Sequence, residues 1–193
     1  MEKKFKGIIF DMDGTLTVPE IDFKKIRQEL DVNNGVDLLE YPKSLSEKRR
    51  KEYFKKLEEL EKKAYKNLKF QEGSIRTLNK FIKSGIKLSI VTRNSKSNAG
   101  IIIEKLNVNF NPILTREFSY VKPHPGTIHH ILSIWNLKSS EILIIGDFED
   151  DMICGRNAGI STCFFQNKNK PSYSKLADFT IESYDELEKI IFP

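Results

Sequence analysis

Polar residues that could bind a cation or a phosphate group recur along the chain, most of them at or shortly after the ends of short apolar runs. The set comprises Asp11, Asp13, Thr92, Arg93, Asn94, Lys122, Asp147, Asp150 and Asp151. If the fold brings them together, the carboxylates repel one another, with Lys122 as their obvious partner. A divalent cation would relieve this repulsion, and ligands that are all oxygen atoms suit Mg²⁺. We therefore expect a magnesium site among these acids.

The apolar runs that precede these residues predict β-strands. They are short, nearly continuous in apolar residues and bounded by turn residues, which is typical of strands buried on both faces of a parallel sheet. The predicted strands are 7–10, 86–91, 112–115, 142–145, 161–165 and 179–181.

Amphipathic segments of helical length separate most of these strands. In the first, Ile75, Leu78, Phe81 and Ile82 repeat at helical spacing, and Gly85 follows as a stop signal. The predicted helices are 74–83, 95–106, 126–135, 150–158 and 183–191. Alternating strands and helices predict an α/β fold, a doubly wound Rossmann-like parallel sheet, in which ligands bind at the carboxyl ends of the strands.

One stretch, residues 17–71, contains no predicted strand. It holds a helix near 22–30 and a long helix near 44–68, whose apolar positions step by three or four residues. We predict a small helical cap over 17–71, inserted after the first strand into a core formed by 1–16 and 72–193. Because this insert leaves the sheet beside the acidic turn, we expect it to act as a lid.

Composition limits the classes of partner. With 193 residues, 39% of them hydrophobic, the chain can bury one core and a small insert. The N-terminus shows no signal sequence and no membrane span, so we expect a cytoplasmic protein without membrane partners. The net charge of +5 is concentrated in residues 43–69, which contain 11 basic and 5 acidic residues. We interpret this as a solvated helix face and expect no nucleic-acid partner.

The motifs resemble those of the haloacid dehalogenase superfamily, in particular its phosphoglycolate phosphatase-like members. Asp11-Met12-Asp13-Gly14-Thr15-Leu16-Thr17 is similar to the first motif, and Gly146-Asp147-Phe148-Glu149-Asp150-Asp151 is similar to the fourth. Thr92 and Lys122 stand where the second and third motifs are expected. The resemblance covers almost the whole chain.

This resemblance implies a phosphatase that uses Mg²⁺ and an aspartyl-phosphate intermediate. Asp11 would be the nucleophile and Asp13 the general acid and base. The Asp11 carboxylate, the Asp13 backbone carbonyl and Asp147 would hold Mg²⁺, with Asp150 and Asp151 supporting them. Thr92 and Lys122 would bind the phosphoryl oxygens, and Arg93 and Asn94 are further candidates for phosphate contact.

Several alternatives stay open at this point. A sugar phosphomutase would use the same phosphoenzyme, and a phosphonatase could take its lysine from the lysine-rich insert. In a different class, the chain could be a non-catalytic phospho-ligand binding or receiver-like module, although a receiver has its acceptor aspartate after the third strand. We expect the partner to be a small phosphorylated metabolite and the protein to be a monomer or homodimer.

Overall fold

In the part of the chain that the structure describes, six parallel strands form a single sheet in the order β3-β2-β1-β4-β5-β6. The structure is a computed structural model and describes residues 3–193; Met1 and Glu2, which begin the predicted core segment 1–16, lie outside the described residues. The strands are β1 Gly7–Phe10, β2 Lys87–Val91, β3 Ile113–Leu114, β4 Ile142–Gly146, β5 Ser161–Phe165 and β6 Phe179–Ile181. The predicted doubly wound α/β fold is confirmed.

The register of β1 determines which polar residues become neighbours. Phe10, its last residue, is paired with Ile90 of β2 and with Ile145 of β4. The residues that follow these three parallel strands therefore share one edge of the sheet. Asp11, Thr92 and Asp147 are at this edge because each directly follows the last residue of its strand.

Within the described residues, seven α-helices accompany the strands. They are α1 Phe23–Leu30, α2 Glu47–Ala64, α3 Ser74–Lys83, α4 Lys96–Leu106, α5 Gly126–Trp135, α6 Glu149–Asn157 and α7 Tyr184–Ile191. Within residues 3–193, none of them combines the length and the apolar composition that a bilayer crossing requires.

The predicted long helix 44–68 is shorter in the structure. A 3₁₀ turn, Tyr41–Ser44, precedes it, and the extended backbone of Leu45 separates this turn from α2. A second 3₁₀ turn, Tyr65–Asn67, follows α2 directly. Strand β3 is also shorter than predicted, because Pro112 has no N–H to donate to a strand ladder.

Apolar side chains of the sheet pack against α5 and α6 on one face. Ile9, Val91 and Ile144 of the strands join Ile131 and Trp135 of α5 in one buried cluster. Elsewhere in the core, α3 packs against α7 and β2. The strands at the candidate site are thus held by a dense core, as their apolar sequences require.

The chain divides into two compact units. One contains the residues up to Pro19 together with Lys69–Pro193, and the other is Glu20–Leu68. The second unit has an apolar cluster of its own, which includes Ile26, Leu38, Tyr53 and Leu57. All residues of this second unit fall within the range 17–71 that was predicted for the cap.

Candidate active site

The turn after β1 carries Asp11 and Asp13. The Asp11 N–H donates to the Ile145 carbonyl at 2.8 Å, which continues the β1–β4 pairing to this residue. The Met12 carbonyl then accepts from the Leu16 N–H at 2.9 Å and so closes the turn. At its centre Gly14 has φ +92°, and a Cβ there would lie 2.1 Å from Asp147 Oδ2. Glycine therefore permits this close approach of turn and carboxylate.

Three carboxylates converge at this edge of the sheet. One oxygen each of Asp11, Asp147 and Asp151 lies within 4.8 Å of the other two, and Asp11 and Asp151 are buried. Asp151 reaches this position because Gly146 has no side chain, since a Cβ there would lie 2.1 Å from Asp151 Cγ. Among the described residues, this trio does not include the Asp13 or Asp150 carboxylate.

Lys122 is the counter-charge of the trio. Its Nζ donates to Asp11 Oδ1 and to Asp151 Oδ1, both at 2.5 Å, and the residue is 4% exposed. Burial alone would lower the pKa of Lys122, but the charges of Asp11 and Asp151 outweigh it and raise the pKa well above its ordinary value. The ammonium group therefore stays charged at neutral pH.

One lysine does not balance three carboxylates. Burial, followed by the charges of Asp11 and Asp151, raises the pKa of Asp147. Burial also raises the pKa of Asp151, although Lys122 opposes the shift. A further cation at the trio would relieve this repulsion, and three carboxylates are the hard oxygen ligands that Mg²⁺ prefers. The residues present thus fit a magnesium ion.

The loop after β2 places Thr92 and Asn94 in buried positions. The Thr92 hydroxyl accepts from the Asn94 N–H at 3.1 Å and still has its own hydrogen to donate. Asn94 Nδ2 donates to Asp13 Oδ2 at 2.8 Å. Its Oδ1 accepts from the Ser95 N–H at 2.8 Å and from Asn98 Nδ2 at 3.1 Å. These contacts make Asn94 a partner of the Asp13 carboxylate.

The predicted residues Arg93 and Asp150 form an ion pair with each other. The Arg93 guanidinium contacts Asp150 Oδ2, and its Nη1 also donates to the Lys122 carbonyl at 3.3 Å. Asp150 is the second residue of α6, whereas Asp151, one residue later, belongs to the carboxylate trio. Arg93 therefore ties the loop after β2 to the Lys122 loop and to α6.

Two amide residues at the site were missed by the sequence reasoning. Asn167 Nδ2 donates to the Gly14 carbonyl at 2.8 Å and to Asp147 Oδ2 at 3.0 Å. Gln71 Nε2 donates to Asn167 Oδ1 at 2.8 Å. A signal existed for Asn167, which is the second residue after β5 and so stands at the same edge of the sheet. No such signal existed for Gln71, because it follows no predicted strand.

Sequence comparison identifies relatives over the full length. The sequence model of the haloacid dehalogenase-like hydrolases matches residues 17–165. A haloacid dehalogenase-like hydrolase domain-containing protein of Arabidopsis thaliana is 30% identical over 97% of this chain and 84% of its own. An uncharacterized hydrolase of Saccharomyces cerevisiae is 32% identical over 98% of this chain and 92% of its own. A pyrophosphatase, PpaX of Bacillus mycoides, is 33% identical over 45% of this chain and 41% of its own.

Solved structures share the fold. A hydrolase from Pseudomonas syringae has a TM-score of 0.80 at 20% identity, over 96% of this chain and 99% of its own. A predicted phosphoglycolate phosphatase from Haemophilus somnus has a TM-score of 0.75 at 20% identity, over 97% and 98% of the two chains. A Bacillus subtilis HAD-hydrolase bound to magnesium has a TM-score of 0.67 at 16% identity, over 97% and 99%. With full-length relatives and a family match over most of the sequence, the chain belongs to the haloacid dehalogenase-like hydrolases.

Proposed function

We propose that this hydrolase is a Mg²⁺-dependent phosphatase that cleaves small phosphomonoesters through an aspartyl-phosphate on Asp11. The observation that carries the proposal is the buried contact of Lys122 with Asp11 and Asp151, inside a carboxylate trio that fits Mg²⁺. The names of two similar proteins, a pyrophosphatase and a predicted phosphoglycolate phosphatase, agree with phosphate chemistry.

In the first step, a carboxylate oxygen of Asp11 attacks phosphorus and the bond from phosphorus to the leaving oxygen breaks. Asp11, Asp147 and the Asp13 backbone carbonyl would hold Mg²⁺, which when bound supplies positive charge next to the phosphoryl oxygens. Lys122 adds a fixed ammonium charge, and the Thr92 hydroxyl donates its hydrogen to a phosphoryl oxygen.

Asp13 moves the protons of both steps. It gives a proton to the leaving oxygen in the first step and so becomes a carboxylate. In the second step it accepts a proton from the attacking water, while the bond between phosphorus and Asp11 breaks and inorganic phosphate leaves. The Asn94 amide, 2.8 Å from Asp13 Oδ2, supports this role because it holds the carboxylate in one orientation.

The test is phosphate release from a panel of phosphomonoesters in the presence of Mg²⁺. The panel contains phosphoglycolate, sugar phosphates, nucleoside monophosphates and p-nitrophenyl phosphate, with inorganic pyrophosphate as a further candidate. We expect Asp11→Asn to abolish turnover and Asp13→Asn to lower it by about 10²- to 10⁴-fold, the usual contribution of an acid-base group. Asp185→Asn, the same change at an exposed position paired with Arg76, is the matched control and should retain activity.

Mass spectrometry of the acid-quenched enzyme tests the intermediate. A phosphoryl group should be found on the peptide that contains Asp11 in the wild type and be absent in Asp11→Asn. Unchanged phosphate release by Asp11→Asn would exclude the proposed nucleophile. A phosphorylated isomer as the product, in place of inorganic phosphate, would make the enzyme a phosphomutase.

A further inference from the structure

The amide side chains of Gln71 and Asn167 connect Asp147 to the segment where the chain enters and leaves the insert. Residues 16–18 and 69–71, here called the stem, are paired by two backbone hydrogen bonds. Val18 N–H donates to the Lys69 carbonyl at 2.9 Å, and Gln71 N–H donates to the Leu16 carbonyl at 3.0 Å. The two hydrogen bonds give the stem a defined geometry, so a side chain attached to it is held in a defined position.

Asn167 is fixed by contacts on both ends of its amide. Its Nδ2 uses its two hydrogens on the Gly14 carbonyl, at 2.8 Å, and on Asp147 Oδ2, at 3.0 Å. Its Oδ1 accepts from Gln71 Nε2 at 2.8 Å. Asn167 is 7% exposed, so these contacts are largely shielded from bulk water. Only one orientation of the amide satisfies all three, so it presents a donor to Asp147.

Gln71 attaches this amide to the stem. In addition to its contact with Asn167, its Nε2 donates to the Gly14 carbonyl at 3.0 Å and lies 3.4 Å from the Thr17 carbonyl. Gln71 itself is part of the stem and Gly14 is part of the turn after β1. A continuous set of hydrogen bonds thus runs from the stem through Gln71 and Asn167 to Asp147.

We infer that Asn167 is a positioning residue for Asp147, and that the Gln71–Asn167 pair couples the order of the stem to Mg²⁺ binding. The inference deepens the proposed function, since it rests on Asp147 as a magnesium ligand. A donor on Oδ2 fixes the rotation of the carboxylate, and groups that orient metal ligands in this way govern metal affinity. Because such coupling is reciprocal, bound Mg²⁺ also stabilises the stem.

Calorimetric titration with Mg²⁺ tests the positioning role without any measurement of turnover. Asn167→Leu keeps the size of the side chain but removes both donors, and we expect Mg²⁺ to bind about 10- to 100-fold more weakly. Gln71→Met should weaken binding less, because Asn167 keeps its own contact with Asp147. Gln166→Leu is the control: the Gln166 amide donates to the carbonyls of Asn167 and Lys170, and its loss should leave Mg²⁺ affinity unchanged.

Hydrogen exchange tests the coupling to the stem. In the wild type, Mg²⁺ should slow exchange of the backbone N–H groups of Val18 and of residue 71, which donate the two stem hydrogen bonds. In Gln71→Met this slowing should be reduced, even at Mg²⁺ concentrations that saturate the site. Equal slowing in wild type and Gln71→Met would overturn the coupling.

A folded Asn167→Leu variant with wild-type Mg²⁺ affinity would overturn the positioning role. If Asn167→Leu does not fold, Gln71→Met decides, and unchanged Mg²⁺ affinity and exchange in that variant would refute the inference. Failure of the proposed function has a different signature. In that case the wild type hydrolyses no phosphomonoester, while the affinity differences between the variants persist.

Discussion

At the scale of single residues, Asn94 determines the environment of Asp13. Its Oδ1 is occupied by two donors, the Ser95 N–H and Asn98 Nδ2, so Nδ2 must face Asp13. The Asn94 amide therefore donates a hydrogen bond to Oδ2 of Asp13. Asn94, a predicted phosphate ligand, thus contacts the residue that we propose as the acid-base group.

Replacing Asn94 by Leu should impair protonation of the leaving group. We expect a loss of about tenfold or more in kcat for alkyl phosphates, whose leaving oxygen needs a proton. The loss for p-nitrophenyl phosphate should be small, because p-nitrophenolate leaves without one. Asn79→Leu is the matched control, since the Asn79 amide lies on an exposed helix face and donates to the Ile75 carbonyl of the same helix. An equal loss for both substrates would assign Asn94 to phosphate binding instead.

Sequence reasoning found Asp11 and Asp147 because each directly follows an apolar strand, and it found Lys122 and Asp151 from their places in the motifs. Asp11, Lys122, Asp147 and Asp151 are brought together as the order of the strands predicts, although their catalytic roles remain predictions. It did not find Gln71 or Asn167, because an amide has no charge to reveal it and their contact spans 96 residues of sequence. Such a contact exists only once β5 and the stem are in place.

At the scale of elements, α2 depends on its contacts within the second compact unit. Most of its surface is charged, but Tyr53 and Leu57 are buried and the Tyr53 hydroxyl donates to the Leu38 carbonyl at 3.0 Å. The Tyr41 ring packs on Tyr53 with ring centroids 5.6 Å apart. Through this contact the 3₁₀ turn packs against α2. The helical spacing of apolar residues in the sequence does not predict such a contact. The break before α2 was missed for this reason.

Leu57→Ala should destabilise the unit Glu20–Leu68. Leu57 is 1% exposed, and truncation of such a side chain typically costs about 2–5 kcal/mol. Hydrogen exchange should therefore accelerate in α1 and α2, while the amides of β1, β2 and β4 keep their protection. Lys55→Ala, an exposed change on the same helix, should alter stability by less than about 0.5 kcal/mol. Equal acceleration in the sheet would show that the two units unfold together.

At the scale of the whole molecule, the carboxylate trio makes stability depend on pH. Burial, with the neighbouring carboxylates, raises the pKa of Asp147 to about 8, and burial raises that of Asp151 to about 7. In the unfolded chain both groups titrate near pH 4, at about the ordinary value. Between these values the folded protein binds more protons than the unfolded chain, so stability falls as pH rises.

Thermal unfolding at pH 5, 6.5 and 8 checks this expectation. In EDTA, the Tm should be highest at pH 5 and decrease toward pH 8. Saturating Mg²⁺ should reduce this decrease, because the cation favours the ionised carboxylates and binds more tightly as pH rises. In Asp147→Asn, the decrease of the Tm with rising pH in EDTA should be smaller than in the wild type. A Tm in EDTA that rises from pH 5 to pH 8 would contradict the raised pKa values.

The overall architecture was predictable because six apolar runs alternate with helical segments, and parallel sheets buried on both faces produce this pattern. Strand β1 was predicted with the same bounds, as were β5 and β6. Strand β3 was overestimated, because its two residues at the sheet edge depend on pairing with β2 more than on their own composition. Local patterns thus specified the layers, and tertiary contacts specified their limits.

The central place of β1 in the sheet has a consequence during protein synthesis. β1 is made first, yet one of its two neighbours, β4, is Ile142–Gly146, so a nascent chain that ends earlier leaves one edge of β1 unpaired. Asp147 and Asp151 follow β4 in the chain, so the carboxylate trio with Asp11 cannot form before β4 has been made. We therefore expect ribosome-bound chains to gain affinity for Mg²⁺ once α6 has left the exit tunnel.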